Sequence, residues 1–174
     1  MTDQITLWQS AAELFAARSQ AITTDDLNRP TPCEDFNVAE LTEHATSTQR
    51  SFGVLLGADT ADDADLATAI ASFSLALGKP GSLDGEVEHP GLGSMPKTDL
   101  LAIATNDMLI HAWDLAQALG IDDALPQANI DAAIAGLRAF PAHVKEIVFS
   151  GAREPEADAS PIDELLALAG RTRL

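Results

Sequence analysis

The sequence is poor in cysteine and in cationic residues. Cys33 is the single cysteine among 174 residues, which excludes an intrachain disulfide and the disulfide framework of many small secreted proteins. Lysine and arginine together number 10, against 27 aspartate and glutamate residues, and the formal net charge is −17. Because nucleic acids and anionic lipid surfaces attract cationic proteins, we expect no nucleic-acid partner and no membrane partner.

Long apolar runs are missing as well. No stretch reaches the roughly 20 apolar residues that span a bilayer. Residues Met1 to Gln4 carry neither the basic charge nor the apolar segment of a secretory signal, so we expect a cytoplasmic protein. The hydrophobic content of 46% is typical of globular proteins. The length predicts a single domain over residues 1–174.

Apolar residues recur at helical spacing along most of the chain and predict an all-α fold. The expected helices run over roughly 4–21, from Asn37 to Gly57, from about Ala64 to Gly78, from Thr98 or Asp99 to Gly120, from Pro126 to about Phe140, and from Pro161 to Gly170. The fourth is apolar around most of its surface, so it should be the most buried. The pattern indicates a four-helix core with extra C-terminal helices.

Two stretches differ from the helical pattern. Residues 82–97 are rich in proline and glycine around a weakly alternating Glu86–His89, which predicts a small hairpin or extended insert. Residues 144–160 read as irregular, with a short extended piece at Val144–Phe149.

Ionisable residues in the fourth helix are the main candidates for chemistry. Asp107 and His111 are four residues apart and share a helix face, and Asp114 lies close to that face. Such groups are costly to bury unpaired, so a divalent metal or a buried Asp107–His111 ion pair must satisfy them. His44, in the second helix, is the best candidate for a third ligand, with Glu40 as a second-shell partner or alternative ligand. Spacing alone leaves the metal and the ion pair both open.

The remaining candidates favour structural roles. We expect His89 and His143 to be structural or solvated. Cys33 follows two prolines and is flanked by Glu34 and Asp35, which oppose a thiolate, so we expect a packing residue rather than a nucleophile.

Several motifs taken together resemble the mycothiol-dependent maleylpyruvate isomerase metal-binding domain, a family of the DinB-like superfamily. They are Pro-Thr-Pro-Cys at residues 30–33, Phe36, Leu41-x-x-His44, His111-x-Trp113-Asp114-Leu115-Ala116 with Gly120, and Ala159-Ser160-Pro161 followed by residues 165–171. The closing motifs resemble the actinobacterial single-domain branch of that family. The likeness covers nearly the whole chain. Two positions depart from the usual pattern, with Phe36 in place of tryptophan and Asp107 in place of glutamate.

The resemblance implies an up-down-down-up DinB-like four-helix bundle that holds a divalent metal through His44, Asp107 and His111. Asp114 and Glu40 would form the second shell. A ligand set of two histidines and one aspartate suits Zn²⁺, with Ni²⁺ or Fe²⁺ as alternatives.

For function, the resemblance implies a metal-dependent S-transferase that activates mycothiol for attack on a small electrophile. The isomerase has a second, C-terminal domain that this chain leaves no room for, and its substrate is a dianion. We therefore do not expect maleylpyruvate isomerisation from this chain alone. A non-enzymatic metal-binding or stress-response module and a vestigial site remain as alternatives. A small-molecule thiol and an electrophile are the expected partners, and the chain should be a monomer or homodimer.

Overall fold

A computed structural model describes residues 3–140 and 151–173, and this part of the chain is an all-α bundle with one small hairpin. The elements in chain order are α1 (Gln4–Ser19), a 3₁₀ turn (Thr24–Asp26), α2 (Val38–Leu55), α3 (Leu66–Leu77), β1 (Glu86–His89), β2 (Gly93–Pro96), α4 (Lys97–Leu119), α5 (Gln127–Ala139) and α6 (Pro161–Leu168). The predicted hairpin is confirmed, because β1 and β2 pair antiparallel. His143 and the extended piece predicted at Val144–Phe149 lie outside the described residues.

Side-chain caps set where the helices begin. Asn37 caps α2, because its carboxamide oxygen accepts the backbone N–H of Glu40 at 2.9 Å while the Glu40 carboxylate accepts that of Asn37 at 2.9 Å. Asp65 caps α3 by accepting from the Thr68 N–H at 2.8 Å, so α3 begins two residues after the predicted Ala64. None of the helices in the described ranges combines the length and apolar character needed to cross a membrane.

Hydrogen bonds between helices define the direction of α1, α2 and α4. Trp8, near the start of α1, donates to Gln49 in the second half of α2 at 3.0 Å, and Gln49 donates to the Ala104 carbonyl in α4 at 3.2 Å. At the far end of α1, Arg18 donates to the Asp122 carbonyl, just beyond α4, at 2.8 Å. Helices α1 and α4 therefore run the same way, and α2 runs against both.

Helix α3 runs in the same direction as α2. Arg50, in the second half of α2, donates to the carbonyl of Ala64, just before α3, at 2.8 Å. Beyond the C-terminal ends of both helices, Lys79 donates to the Gly57 carbonyl at 3.4 Å. The four helices thus have the up-down-down-up order of a DinB-like bundle.

Helix α4 is the central element of the core, as its composition predicted. Of its 23 residues, 17 are buried. They include the ionisable residues Asp107, His111 and Asp114. An acidic and a basic side chain in such a place need partners, since unpaired polar groups are costly in a protein interior.

Gly120 ends α4 in the left-handed conformation, with φ 68° and ψ 34°. Replacing Gly120 by alanine should lower the free energy of unfolding by about 1 kcal/mol, because a Cβ disfavours this backbone region. Gly78 ends α3 with φ −71°, and a Cβ there would meet carbonyl oxygens only at 3.6 Å. Gly78→Ala is therefore the matched control, and urea unfolding should show no loss for it. Equal losses in the two variants would contradict the explanation.

Candidate metal centre

A cavity of about 380 Å³ opens between α2, the hairpin and α4. Much of its wall is apolar, formed by Phe36, Phe52, Leu92, Ile103 and Ile110. The polar part of the wall gathers His44, Asp107 and His111, the three residues predicted from the sequence as ligands. The fold therefore brings one residue of α2 and two of α4 to the same place.

Asp107 lies between the two histidines. Its Oδ1 is 3.7 Å from His44 Nε2 and 3.5 Å from His111 Nε2. One ligand atom from each residue lies within 4.8 Å of the other two. Asp107 and His111 are buried, whereas the His44 side chain is 34% exposed at the cavity mouth. The three donors thus converge at one point on an otherwise apolar wall.

These separations fit a metal better than a hydrogen-bonded ion pair. A hydrogen bond between nitrogen and oxygen seldom exceeds about 3.2 Å. Ligand atoms about 2.0–2.2 Å from a tetrahedral Zn²⁺ are about 3.3–3.6 Å from one another. The 3.5 Å and 3.7 Å distances around Asp107 Oδ1 are close to that spacing. The donor set is therefore compatible with a divalent cation on chemical and geometric grounds.

Thr48 holds the second oxygen of Asp107. One turn after His44 on α2, its hydroxyl donates to Asp107 Oδ2 at 2.8 Å. This bond leaves Oδ1 directed at the histidines. Sequence reasoning missed Thr48, because nothing in the local pattern shows that Asp107 packs against it.

Thr48→Val should therefore weaken zinc binding by about tenfold, since partners that orient a ligand typically matter by a factor of 10–100. Thr46→Val is the matched control on the same helix, because the Thr46 hydroxyl donates to the Thr42 carbonyl within α2. Competition titration against a chromophoric chelator measures both affinities. Equal affinity of Thr48→Val and the wild-type protein would rule out the orienting role.

The other ring nitrogen of His111 contacts Asp114. His111 Nδ1 is 3.0 Å from Asp114 Oδ2. Asp114 is completely buried and also accepts from Arg171 Nε, at 2.9 Å to Oδ1 and 3.1 Å to Oδ2. Arg171 follows α6 and donates from Nη1 to the Ala169 carbonyl. Sequence reasoning missed Arg171, which reaches α4 from 57 residues away.

Electrostatics favour charge on both Asp107 and His111 in the protein without a metal. Burial opposes ionisation of Asp107, but the adjacent histidines lower the pKa of its carboxyl well below the usual range. Burial likewise opposes a charged imidazole, yet the carboxylates of Asp107 and Asp114 raise the pKa of His111 to about 9. A cation that binds here must therefore displace a proton from His111.

Phe36 supports His44 from the other side. Their rings stack at 4.8 Å between centroids with an interplanar angle of 25°, and His44 meets the His111 ring edge-on at 5.2 Å. Phe36 therefore presents an aromatic surface to the His44 imidazole. This contact limits the rotation of the most exposed member of the donor set.

Glu40 lies apart from the predicted second shell. Its exposed carboxylate accepts the Asn37 N–H, and within residues 3–140 and 151–173 it forms no ion pair with His44. The Glu40 side chain therefore caps α2, whereas its spacing from His44 had suggested a place beside the metal.

Cys33 packs in the core as predicted and also lines the cavity, close to His111 and Asp114. Burial raises the pKa of the Cys33 thiol, although Arg171 partly opposes this shift.

His89 belongs to the cavity wall and not only to the hairpin. Its Nδ1 accepts the backbone N–H groups of Gly91 and Leu92 at 3.2 Å and 3.1 Å. Its ring centroid is 6.0 Å from that of Phe52. His89 therefore has the structural role expected for it, because it holds the turn of the hairpin. It also lines the cavity that contains His44, Asp107 and His111, which was not predicted.

Comparison with known proteins gives a likeness to one family. Residues 8–90 match the family model of the mycothiol maleylpyruvate isomerase N-terminal domain. Over this range, just under half of its length, the chain is similar to that family. Two relatives, both described as uncharacterized proteins of Mycobacterium tuberculosis (strains CDC 1551 / Oshkosh and ATCC 25618 / H37Rv), are each 28% identical over 184 residues, covering 98% of this chain and 98% of their own. No solved structure matches significantly.

The family match covers one of the three candidate ligands, and the other two lie in α4. The matched range includes His44 and ends before α4. The association of Asp107 and His111 with His44 therefore depends on the packing of α4 against α2. The family name connects the chain to mycothiol, and the structure contributes candidate ligands for a metal.

Proposed function

We propose that this protein is a divalent-metal-dependent thiol S-transferase, with mycothiol as the thiol and a small electrophile as the second substrate. The observation that carries the proposal is the His44, Asp107 and His111 donor set on the wall of an apolar cavity. Three protein ligands leave a coordination position for a substrate, which is the pattern of catalytic rather than structural zinc sites. Zn²⁺ suits this set best, with Ni²⁺ or Fe²⁺ as alternatives.

Each residue near the donor set has a distinct task in this proposal. His44, Asp107 and His111 would hold the ion, Thr48 orients Asp107, and Asp114 orients His111. The bound ion would supply positive charge that favours the thiolate form of a thiol in the cavity at neutral pH. The apolar wall excludes water and leaves that thiolate poorly solvated, which strengthens it as a nucleophile.

The reaction is a substitution that balances without an oxidant. The thiol loses its proton to solvent, and its sulfur electron pair forms a bond to carbon of the electrophile. The leaving group departs with the electrons of its own bond to that carbon. Because the chain carries a net charge of −17 and Asp35 also lines the cavity, the preferred electrophile is uncharged.

A turnover assay with mycothiol and the uncharged alkylating agent monobromobimane tests the proposal. Zinc-loaded protein should accelerate conjugation, and Asp107→Asn should abolish the acceleration. Asp99→Asn is the control, since Asp99 is exposed in the first turn of the same helix. Metal binding without any acceleration over the uncatalysed reaction would contradict the transferase and support the non-enzymatic metal-binding module.

A further inference from the structure

A second cavity, of about 550 Å³, adjoins the candidate metal centre. It lies between α2, the loop that follows α2 and the tip of the hairpin. Its polar wall consists mainly of hydroxyl-bearing and ionisable residues, namely Ser47, Ser51, Thr60, Arg50, Asp62 and His89. His89 lines both cavities, so the two are neighbours on either side of this residue.

Helix α2 also connects the two spaces. His44, Thr48 and Phe52 follow one another at one-turn intervals and line the cavity of the metal centre. Ser47 and Ser51 occupy the adjacent stripe and line the second cavity. A molecule that reaches across α2 beside the His89 ring would therefore contact the donor set with one end and these hydroxyls with the other.

The charges of the second cavity disfavour an anion. Arg50 donates to the Ala64 carbonyl and to the Glu43 carboxylate, so its charge is already paired. Asp62 adds negative charge to the wall, in a chain whose net charge is −17. Among the described residues, the lining therefore offers no unpaired lysine or arginine for a phosphate or carboxylate.

The hydrogen-bonding groups of the wall suit an uncharged ligand rich in hydroxyls. The Thr60 hydroxyl is buried and has no partner among the described residues. His89 uses Nδ1 to accept two backbone N–H groups, which places its hydrogen on Nε2, where no described group accepts it. Hydroxyl groups both donate and accept, so a polyol could pair with serine, threonine and imidazole N–H together.

We infer that the second cavity binds the uncharged, polyhydroxylated body of the thiol cosubstrate whose sulfur reaches His44, Asp107 and His111. This inference rests on the proposed function and deepens it by naming the recognition surface. Mycothiol has this chemistry, because two linked hydroxyl-bearing rings carry its acylated cysteine. N-acetylcysteine amide presents the same thiol, uncharged and without the rings, and it is therefore the matched probe.

Thiol titrations of the cobalt-substituted full-length protein test the inference, since a thiolate bound to Co²⁺ gives a charge-transfer absorption band. We expect mycothiol to bind at least about tenfold more tightly than N-acetylcysteine amide, from a few neutral hydrogen bonds. The triple variant Ser47→Ala, Ser51→Ala, Thr60→Val should erase that preference and leave the affinity for N-acetylcysteine amide unchanged. Ser74→Ala, a hydroxyl removed from α3 away from both cavities, should keep the preference.

The outcomes separate the two claims. Equal affinity of the two thiols for the wild-type protein overturns the inference and leaves the transferase standing. So does a preference that survives in the triple variant, or a loss of affinity for both thiols in it. If neither thiol gives the band, the proposed function is overturned, and the inference falls with it.

Discussion

The free energy of unfolding of the Arg171→Met variant is expected to be about 3–5 kcal/mol lower than that of the wild-type protein, because the substitution removes the arginine that pairs with a buried carboxylate. Asp114 is completely buried, and Arg171 Nε contacts both of its oxygens at 2.9 Å and 3.1 Å. His111 remains beside Asp114 at 3.0 Å and compensates only part of the lost charge. Urea unfolding of the metal-free protein measures the difference.

Two further variants decide whether the loss comes from the unpaired charge. Arg173→Met removes a guanidinium that pairs with Asp123 while 49% exposed, and it should cost less than about 1 kcal/mol. Adding Asp114→Asn to Arg171→Met should restore part of the stability, because it removes the unpaired charge. A loss below about 1 kcal/mol for Arg171→Met would show that Asp114 is not isolated from water in the folded protein.

Zinc affinity is expected to rise about tenfold per pH unit between pH 6.5 and 9. In the metal-free protein, Asp107 and Asp114 raise the pKa of His111 to about 9, so a proton occupies this ligand at neutral pH. The ion and the proton compete for His111. Each one-unit rise in pH below the pKa lowers the ratio of protonated to unprotonated His111 about tenfold and raises the apparent zinc affinity by the same factor. Calorimetry at pH 7.5 in buffers of different ionisation enthalpy should detect the proton released with each Zn²⁺ bound.

The free energy of unfolding of the metal-free protein should fall over the same pH range in which zinc affinity rises. A folded pKa near 9 lies above the ordinary histidine value of 6.5, so protonated His111 stabilises the folded state fully below pH 6.5. That contribution is lost as the pH rises through 9. Urea unfolding in the presence of a chelator should show this decline. Zinc affinity that does not change from pH 6.5 to 9 would contradict a charged His111 and a role for it as a ligand.

Local rules predicted the elements of this fold because the signals are local. Asn37 and Ser160 mark helix starts by capping, and Gly120 ends α4 by its backbone conformation. Proline and glycine interrupt the helical pattern where the hairpin forms. The one-turn spacing of Asp107 and His111 likewise places two candidate ligands on one helix face without tertiary information.

The parts that sequence reasoning missed depend on contacts across long stretches of chain. Arg171 reaches Asp114 across 57 residues, and Thr48 reaches Asp107 across 59. Neither partner has a helical period or a turn signal that points to the other. Glu40 was predicted as a partner of His44 from its position one turn earlier on α2. In the structure its carboxylate accepts the Asn37 N–H and caps the helix.

Metal analysis of wild-type protein purified without an affinity tag tests the central claim most directly. The account predicts about one divalent ion per chain, mainly zinc, retained by Asp99→Asn and lost from His44→Ala, Asp107→Asn and His111→Ala. Folded wild-type protein that carries no ion and gains no thermal stability from added Zn²⁺ or Ni²⁺ would contradict it, since an ion bound to the native state must stabilise that state. Asp107 and His111 would then form a buried ion pair and not part of a metal centre.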